Sequence, residues 1–593
     1  TSLFEFRLGI SQTEGGKFPL FRGTPTIGDR FGIPNIPNDP RFTGGVMSTG
    51  ITGFTTLGVQ GSNPQFQNPM VYNPKANYTK VLGRHSLKTG YEYQAISTDI
   101  DDFNPKYGSN SHGGRFSQLA GSPSDDRQFI ADFLLGARSG YQLNNSAIVT
   151  YQQRMHFLYL QDDFKVNRKL TLNLGVRYEY ATPQWESENR LANFDPSNNS
   201  VIEAKSGGIF ERALVRPDRN NWAPRLGAAY TLNDRTVLRA AYGISFIHFN
   251  RMGGENLLAY NLPFILNPNI NQIAPARPNG GQPLCASLNV NPTTCFLPYE
   301  RGFPNNFLSL NNVRRAAVRT NQIPFELPSA SVQSWHFTIQ RRLAEGLVLD
   351  LGYVGTRGRD LLILGDLNQA NPNNPGGNLN VDARRPITGF GFIQSAFPGG
   401  FLDYHAFQAK LERRFSGGLY ILNSFTWSKA IDNASGHLEA QNGDNSRVNI
   451  RDLASEKGLS GYDQPFNNTT TLLWDLPVGK GRRFASGLPT AANLILGGWR
   501  MTAINFWTAG TTVNLSYNPT AAQSVSGAPT YRPNITGDPV TPETGRTERN
   551  WLNPATVAIV PSNVLNPFGN AGRNIVRGPS LFQLNLGLHK DFF

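Results

Sequence analysis

The segment KLTLNLGVRYEY, Lys169–Tyr180, constrains the fold of this chain more than any other. From Leu170 onward, every second residue is apolar, and the residues between them are polar or small. A period of two is the signature of a β-strand with two different faces. Strands in soluble proteins average about 5 to 6 residues, whereas a tilted membrane-spanning strand needs about 9 to 11. The segment therefore predicts a strand with one face toward lipid and one toward a polar interior.

The same alternation recurs along the chain, and it predicts roughly sixteen to twenty strands of about 9 to 12 residues. Its apolar registers include Phe4–Ile10, Leu238–Phe246, Trp335–Ile339, Leu347–Tyr353, Phe407–Phe415 and Leu584–Leu588.

Connections between these strands alternate between short and long. Tight turns are predicted at Asn167–Lys169, Asn233–Arg235, Ala344–Gly346 and Ser416–Gly418, and long polar stretches at 181–221, 247–331, 356–403 and 431–466. A transmembrane barrel has this arrangement, because its periplasmic turns are short and its extracellular loops are long. The fold class predicted is all-β, a large antiparallel transmembrane β-barrel that occupies residues 1–593 as one domain.

Composition agrees with strands joined by polar loops. Of the 593 residues, 39% are hydrophobic and only 16% are charged, while Gly (60) and Pro (40) are frequent. The net charge is +13, but no block of five or more Lys or Arg occurs, so nucleic-acid binding is not expected. No apolar run reaches the roughly 18 to 20 residues that a membrane helix needs.

Two segments leave their structure open. FIADFLLG, Phe129–Gly136, is compatible with a short helix or a buried strand. MHFLYLQDDFKV, Met155–Val166, has apolar residues in both registers, which predicts a strand whose inner face also packs against something.

The only two cysteines, Cys285 and Cys295, lie ten residues apart in a Pro- and Asn-rich stretch. A loop disulfide formed in an oxidising compartment is the favoured interpretation, and two free thiols are the alternative. A closed zinc site needs four ligands and is not expected here. Because a disulfide reduces the entropy lost on binding, this loop is the best candidate for ligand recognition.

The sequence contains no motif of an enzyme active site, and we predict that the protein is not an enzyme. DIDDFN brings Asp99, Asp101 and Asp102 together, which favours a solvated acidic loop and leaves calcium binding as the weaker alternative. The polar register predicts side chains that line a barrel lumen: Arg177, Glu179, Arg225, Arg239, Gln340, Asp350, Lys410 and Glu412.

At the level of whole segments, the chain resembles the barrel of TonB-dependent outer-membrane receptors of the Oar-like branch. The resemblance spans most of the chain in order and is carried by YLQDDFKVNRKLTLNLGVRYEY, RHSLKTGYEY, NNWAPRLGAAYTLNDRTVLRAAYG, FQAKLERRFSGGLYILNSFTWSKAIDN and RGPSLFQLNLGLHKDF, together with shorter pieces. It implies a barrel of twenty-two strands in the bacterial outer membrane.

The resemblance also implies partners. A large nutrient such as an oligosaccharide or peptide would be the cargo, and energy would come from the TonB complex through a plug domain. No plug or TonB-binding box is recognisable here, so we expect a barrel portion of a longer protein, monomeric and surrounded by outer-membrane lipid. A passive porin or structural barrel, and a surface adhesin, are the alternatives.

Overall fold

The computed structural model describes residues 1–118, 125–249, 258–272, 284–285, 295–313, 315, 318–373, 381–435, 447–519, 523–525, 529–564 and 566–592. One antiparallel sheet dominates these residues. Its fourteen long strands are β1 (Ser2–Gln12), β2 (Gln65–Leu82), β3 (His85–Asp101), β4 (Val149–Lys165), β5 (Leu170–Ala181), β6 (Trp222–Asn233), β7 (Thr236–Ile247), β8 (Ala330–Ala344), β9 (Leu347–Asp366), β10 (Ile393–Ser416), β11 (Leu419–Asp432), β12 (Phe466–Asp475), β13 (Trp499–Thr508) and β14 (Leu581–Lys590).

Each long strand pairs with the one that follows it in the chain, from β1–β2 to β13–β14. Such consecutive pairing is the topology of an up-and-down sheet. Within the described part of the chain, β1 and β14 each pair with one long strand. The predicted all-β antiparallel fold is confirmed, although fourteen long strands are fewer than the sixteen to twenty counted from the sequence and the twenty-two of the resemblance.

The strand count was too high because the least regular part of the sequence forms loops. The described residues of 13–64 and 509–580 form turns, short helical turns and strands of only two to four residues instead of long strands. Short strands, mostly within the loops, are Gly15–Lys17, Ser48–Ile51, Ser109–His112, Gly140–Gln142, Trp185–Glu186, Ala192–Asp195, Ser200–Glu203, Asn269–Asn271, Thr320–Gln322, Arg447–Val448, Gly458–Leu459, Thr512–Val513, Asn534–Ile535, Val557–Ala558 and Val576–Arg577.

The pairing register separates two faces of the sheet, because residues directly opposite each other point to the same side. Leu174 of β5 lies opposite Leu226 of β6, whereas Arg177 lies opposite Ala223. We call the side of Leu174 the apolar face and the side of Arg177 the polar face. Large apolar side chains on the apolar face are exposed in the isolated chain. They include Phe4, Phe6, Leu158, Leu160, Leu586 and Leu588.

Short and long connections alternate, as predicted. Two to four residues join β4 to β5, β6 to β7, β8 to β9 and β10 to β11, and the predicted tight turns are confirmed. The predicted long stretch 356–403 was too wide, because β9 runs to Asp366 and β10 already begins at Ile393. The connection 476–498, between β12 and β13, is longer than the other turns on its side of the sheet.

The turn after β4 shows how the sequence fixes a hairpin. The Asn167 side-chain oxygen accepts hydrogen bonds from the backbone N–H groups of Lys169 (2.8 Å) and Leu170 (2.9 Å). An Asx turn of this kind reverses the chain within a few residues. Gly346, between β8 and β9, meets the same need with a φ of 72°, which glycine adopts without steric cost.

Helices are few and short: α1 (Ile27–Phe31), α2 (Asp126–Leu134), α3 (Ile209–Ala213) and α4 (Thr490–Leu496). Single 3₁₀ turns lie at Tyr299–Arg301, Val381–Arg384, Leu453–Glu456, Glu543–Gly545 and Pro554–Thr556. The ambiguous FIADFLLG segment belongs to α2, whose first turn is closed by a capping box between Asp125 and Gln128. In the described residues, no helix has the length and apolar character required to cross a membrane.

Candidate functional site: the polar face and its loop cover

All eight residues predicted to line a lumen lie on the polar face of the sheet. Pairing carries this face from Arg177 and Arg225 through Arg239, Gln340 and Asp350 to Lys410 and Glu412, while Glu179 lies two residues beyond Arg177 on the same strand. Within it, Arg177 Nε is 2.7 Å from Glu179 Oε1, and Lys410 Nζ is 2.9 Å from Glu412 Oε2.

Further cations on this face are also paired with carboxylates. The pairs are Arg7–Glu5 (2.5 Å), Lys75–Glu92 (2.7 Å), Lys88–Asp163 (2.7 Å) and Arg500–Asp475 (2.6 Å). Partly exposed pairs contribute little to stability, about 0 to 1 kcal/mol each. Their consequence is electrostatic, because the positive and negative charges of the wall cancel locally.

Near the loop end of the polar face, Glu179 connects strand and loop. His248 follows β7, and its Nε2 lies 2.9 Å from Glu179 Oε2. Phe157 of β4 packs beneath the guanidinium of Arg177, 4.6 Å from ring centroid to carbon. The second apolar register of β4 therefore packs against this charged cluster, as the sequence predicted for Met155–Val166.

The long loops cover the polar face at one end of the sheet. Ile100, Val149 and Tyr151 belong to the polar-face register of β3 and β4. They form one buried apolar cluster with loop residues Leu191, Leu214, Val215, Leu258, Ala259, Ile265 and Ile323. The loops between the strands therefore fold over this end of the polar face instead of projecting into solvent.

Asparagine side chains hold these covering loops together. The Asn261 amide donates to Ala192 O (2.6 Å) and Asn321 O (3.0 Å), and its oxygen accepts from the Asn321 N–H (2.7 Å). The Asn193 amide donates to Leu214 O and Ile323 O. Buried backbone groups must be paired, and these amides pair them where no regular strand is present.

Between the wall and the cover lies a partly open cavity of about 70 Å³. Its lining includes Tyr151, Gln153, His248, Leu258 and Ser329. One water needs about 10 to 15 Å³ of space of this kind, so the cavity has room for a few waters.

A second part of the cover forms a small unit of its own, which we call the loop body. Four short strands, Ser48–Ile51, Ser109–His112, Gly140–Gln142 and Asn269–Asn271, join into one sheet. Arg138 lies at its centre with no exposed surface, and its guanidinium donates to Leu297 O (2.9 Å), Asn110 Oδ1 (2.8 Å) and Gly302 O. Burial lowers the pKa of Arg138 to about 10.

Cys285 and Cys295 form a disulfide in the same body. Their exposed fractions are 3% and 5%, and they pack with Met47, Tyr107 and Phe303 among others. The bond therefore lies in an apolar core, where it fixes the loop to its support. The chain between the two cysteines, residues 286–294, which the sequence proposed for ligand recognition, lies outside the described residues.

Loops from the C-terminal half are joined by buried ion pairs. Asp366 Oδ2 is 2.9 Å from Arg385 Nη1, and Glu456 Oε2 is 2.8 Å from Arg532 Nη1. The Glu456–Arg532 pair connects segments 76 residues apart, whereas Asp366–Arg385 closes the connection that follows β9. Breaking either pair would leave an uncompensated buried charge.

The three aspartates of the DIDDFN segment do not form a metal site. Asp101 is paired with buried Lys106, and Asp99 accepts a hydrogen bond from Thr150 Oγ1 (2.6 Å). Asp102 is partly buried, and this burial raises its pKa to about 6. In the part of the chain that the structure covers, no group of three or more His, Cys, Asp or Glu side chains could hold a metal ion.

Sequence reasoning missed Arg138, His248 and Lys106. Each is a single polar residue in an irregular loop, with neighbours that form no motif. The partners of Arg138 include residues 159 and 164 positions away, which no local pattern indicates.

Comparison with known proteins gives one family. A family model described as "Outer membrane beta barrel domain" matches residues 1–593. No curated protein matches the chain.

Among solved structures, the outer membrane transporter YddB from Escherichia coli is similar, with 12% identity, a TM-score of 0.41, and coverage of 81% of this chain and 48% of that one. The siderophore receptor PirA from Acinetobacter baumannii is similar with 10% identity, a TM-score of 0.40, and coverage of 88% and 50%. The chain spans about half the length of these solved proteins.

Proposed function

The chain belongs to the outer membrane beta barrel domain family and so lies in the bacterial outer membrane, and from this premise we propose that it forms the barrel of a transporter for a large nutrient. The apolar face would contact lipid, and the polar face would line the lumen. The family is one of membrane barrels and not of enzymes, in agreement with the sequence.

One observation supports regulated transport above a passive pore. Apolar residues of the polar-face register, such as Tyr151, are buried under the folded loops. Loops packed in this way occupy space that an oligosaccharide or peptide would need in order to pass. The cover must open for cargo to enter, whereas a passive porin keeps an aqueous channel.

Energy for this opening is the second part of the proposal. It would come from the TonB complex of the inner membrane, acting through a plug domain in the lumen. The described strands and loops contain no plug domain. The uptake experiment therefore tests whether transport needs energy from the inner membrane. The barrel would act as a monomer.

Uptake and its energy dependence test the proposal directly. Cells that express the complete protein would be given a labelled oligosaccharide mixture and a labelled peptide mixture, with and without an uncoupler that dissipates the proton gradient. We expect accumulation of at least one mixture only in energised cells. Cells that lack the gene provide the background.

Two results would contradict the proposal. Accumulation that persists with the uncoupler indicates a passive barrel, and no accumulation of either mixture indicates a role other than nutrient transport. Before the uptake experiment, unboiled and boiled samples of the protein are compared on a denaturing gel, because a faster unboiled band shows a closed, detergent-resistant barrel.

A further inference from the structure

We propose that the polar face carries a subsite for an anionic group, a carboxylate or phosphate of the transported solute, formed by Arg225 and His336. This inference rests on the proposed function and specifies the chemistry of the cargo. It is carried by three observations: a recess in the wall, an arginine without a counter-charge, and the absence of bulky neighbours.

The recess lies on β4 to β8 and measures about 470 Å³. Its polar-face lining includes Asn173, Gly175, Arg225, Gly243 and His336. Ligand pockets typically measure about 300 to 1,000 Å³. The recess can therefore hold one end of a larger solute while the rest remains in the lumen.

Small residues create this space. Gly175, Gly227 and Gly243 all belong to the polar-face register, together with Ala241 and Ser334. A Cβ added at Gly243 would lie 3.7 Å from Cγ of Arg225, so the arginine side chain extends across β7 over this glycine. Its guanidinium is exposed to the recess rather than packed under a neighbour.

The charge of the recess differs from that of the surrounding wall. Arg7, Lys75, Lys88, Arg177, Lys410 and Arg500 each contact a carboxylate on the same face. The Arg225 side chain has no hydrogen bond or ion pair within the described residues. Outside the recess, Arg239 contacts only the neutral oxygen of Gln340, at 3.3 Å from both Nη atoms. Six cations of the wall are therefore paired with carboxylates, whereas the arginine that lines the recess is not.

Arginine is suited to an anionic ligand, because its planar fork matches the two oxygens of a carboxylate or phosphate. His336 lies opposite Ala241, two residues from both Arg239 and Gly243 along β7. Its ring can donate a further hydrogen bond. An anionic group bound here would receive donors from two strands, Arg225 of β6 and His336 of β8, on either side of β7.

Gly243 allows a matched test, since its Cβ position is sterically ordinary and lies beside Arg225. Gly243→Asp places a carboxylate beside Arg225, like the carboxylates beside the paired cations of the wall. Gly243→Asn adds a side chain of nearly the same size without charge. Binding of trigalacturonate, an anionic trisaccharide, to the detergent-folded full chain would be measured by calorimetry. Neutral maltotriose and inorganic phosphate are the comparison probes.

We expect trigalacturonate to bind the wild-type chain and Gly243→Asn, and to bind Gly243→Asp and Arg225→Gln at least about tenfold more weakly. Arg7→Gln, which removes a paired arginine of the same face, should leave the affinity unchanged. Gel mobility before boiling shows that every variant is folded.

Three results would overturn the subsite: no binding of trigalacturonate or phosphate to the wild-type chain, equal loss in Gly243→Asn and Gly243→Asp, or equally tight binding of neutral maltotriose. Binding of phosphate but not of trigalacturonate would assign the subsite to a phosphate group. Binding is measured without transport, so its failure leaves the uptake experiment to decide the proposed function independently. Conversely, binding without energised uptake would overturn only the transport proposal.

Discussion

The guanidinium carbon of Arg138 lies 4.0 Å from the centroid of the Tyr141 ring, three residues along the chain. The same guanidinium donates to carbonyl oxygens of Leu297 and Gly302, which belong to a different loop. One fully buried side chain therefore connects two loops that are distant in sequence. Its loss should loosen the loop cover without affecting the strands below.

The first prediction follows from this contact. Arg138→Met keeps much of the aliphatic volume but leaves buried oxygen acceptors unpaired, and we expect the loop body to lose about 3 kcal/mol of local stability. Hydrogen exchange over 109–112 and 140–142 measures this loss. Arg127→Met is the control, because the Arg127 side chain is 91% exposed and its ion pair is with Asp125 nearby.

Equal exchange in Arg138→Met and Arg127→Met would contradict the assignment of Arg138 as a link between loops. A loss of the detergent-resistant gel form would contradict it in another way, because it would show that the loop body and the strands fold as one unit.

The second prediction tests the two faces with adjacent residues of β5. Leu174 points to the apolar face and Asn173 to the polar face. Leu174→Arg places a charge toward lipid near the middle of the strand and should cost about 2 to 4 kcal/mol, whereas Asn173→Arg should change stability little. Unfolding in lipid vesicles, followed by gel mobility, measures both variants. Similar costs for the two would show that the faces have been assigned incorrectly.

The strands could be predicted because each carries its own evidence. The alternation in Leu170–Tyr180 appears within one segment, and neither face depends on contacts far along the chain. The Asx turn at Asn167 is equally local. A strand that separates lipid from a polar interior must alternate apolar and polar residues, so the pattern is strong along the whole membrane-spanning part of the strand.

The loop cover could not be predicted for the opposite reason. Leu364 extends β9 beyond the segment read from the sequence, and it is buried in the same cluster as Ile323 and Leu214 from other loops. The eight polar-face positions followed from period two alone, but period two does not show which cations lack a carboxylate. That distinction depends on neighbouring strands, such as Lys88 beside Asp163.

The third prediction concerns the disulfide. Because Cys285 and Cys295 are buried, a reductant should react slowly with the folded chain and quickly only after the loop body opens. Replacing both by alanine should cost the loop body about 2 to 3 kcal/mol, since the closed loop is short. Limited proteolysis of the folded chain measures the change. Unchanged cleavage kinetics would show that the apolar contacts around the bond hold the loop by themselves.

The fourth prediction is a pH dependence at the end of β3. Burial is the largest cause of the raised pKa of Asp102, about 6, and one of its carboxylate oxygens is buried without a hydrogen-bond partner. The ordinary value is 3.8, so the folded state binds the proton more tightly than the unfolded state does. The stabilising contribution is therefore fully present below about pH 4 and is lost as the pH rises through about 6.

We expect the protection of residues 101–107 from hydrogen exchange to fall between about pH 4 and pH 7, after correction for the intrinsic exchange rate. Asp102→Asn, which stays neutral, should keep the protection level over this range, while the Asp101–Lys106 pair beside it remains in both proteins. A fall of the same size in Asp102→Asn would assign the pH dependence to that pair.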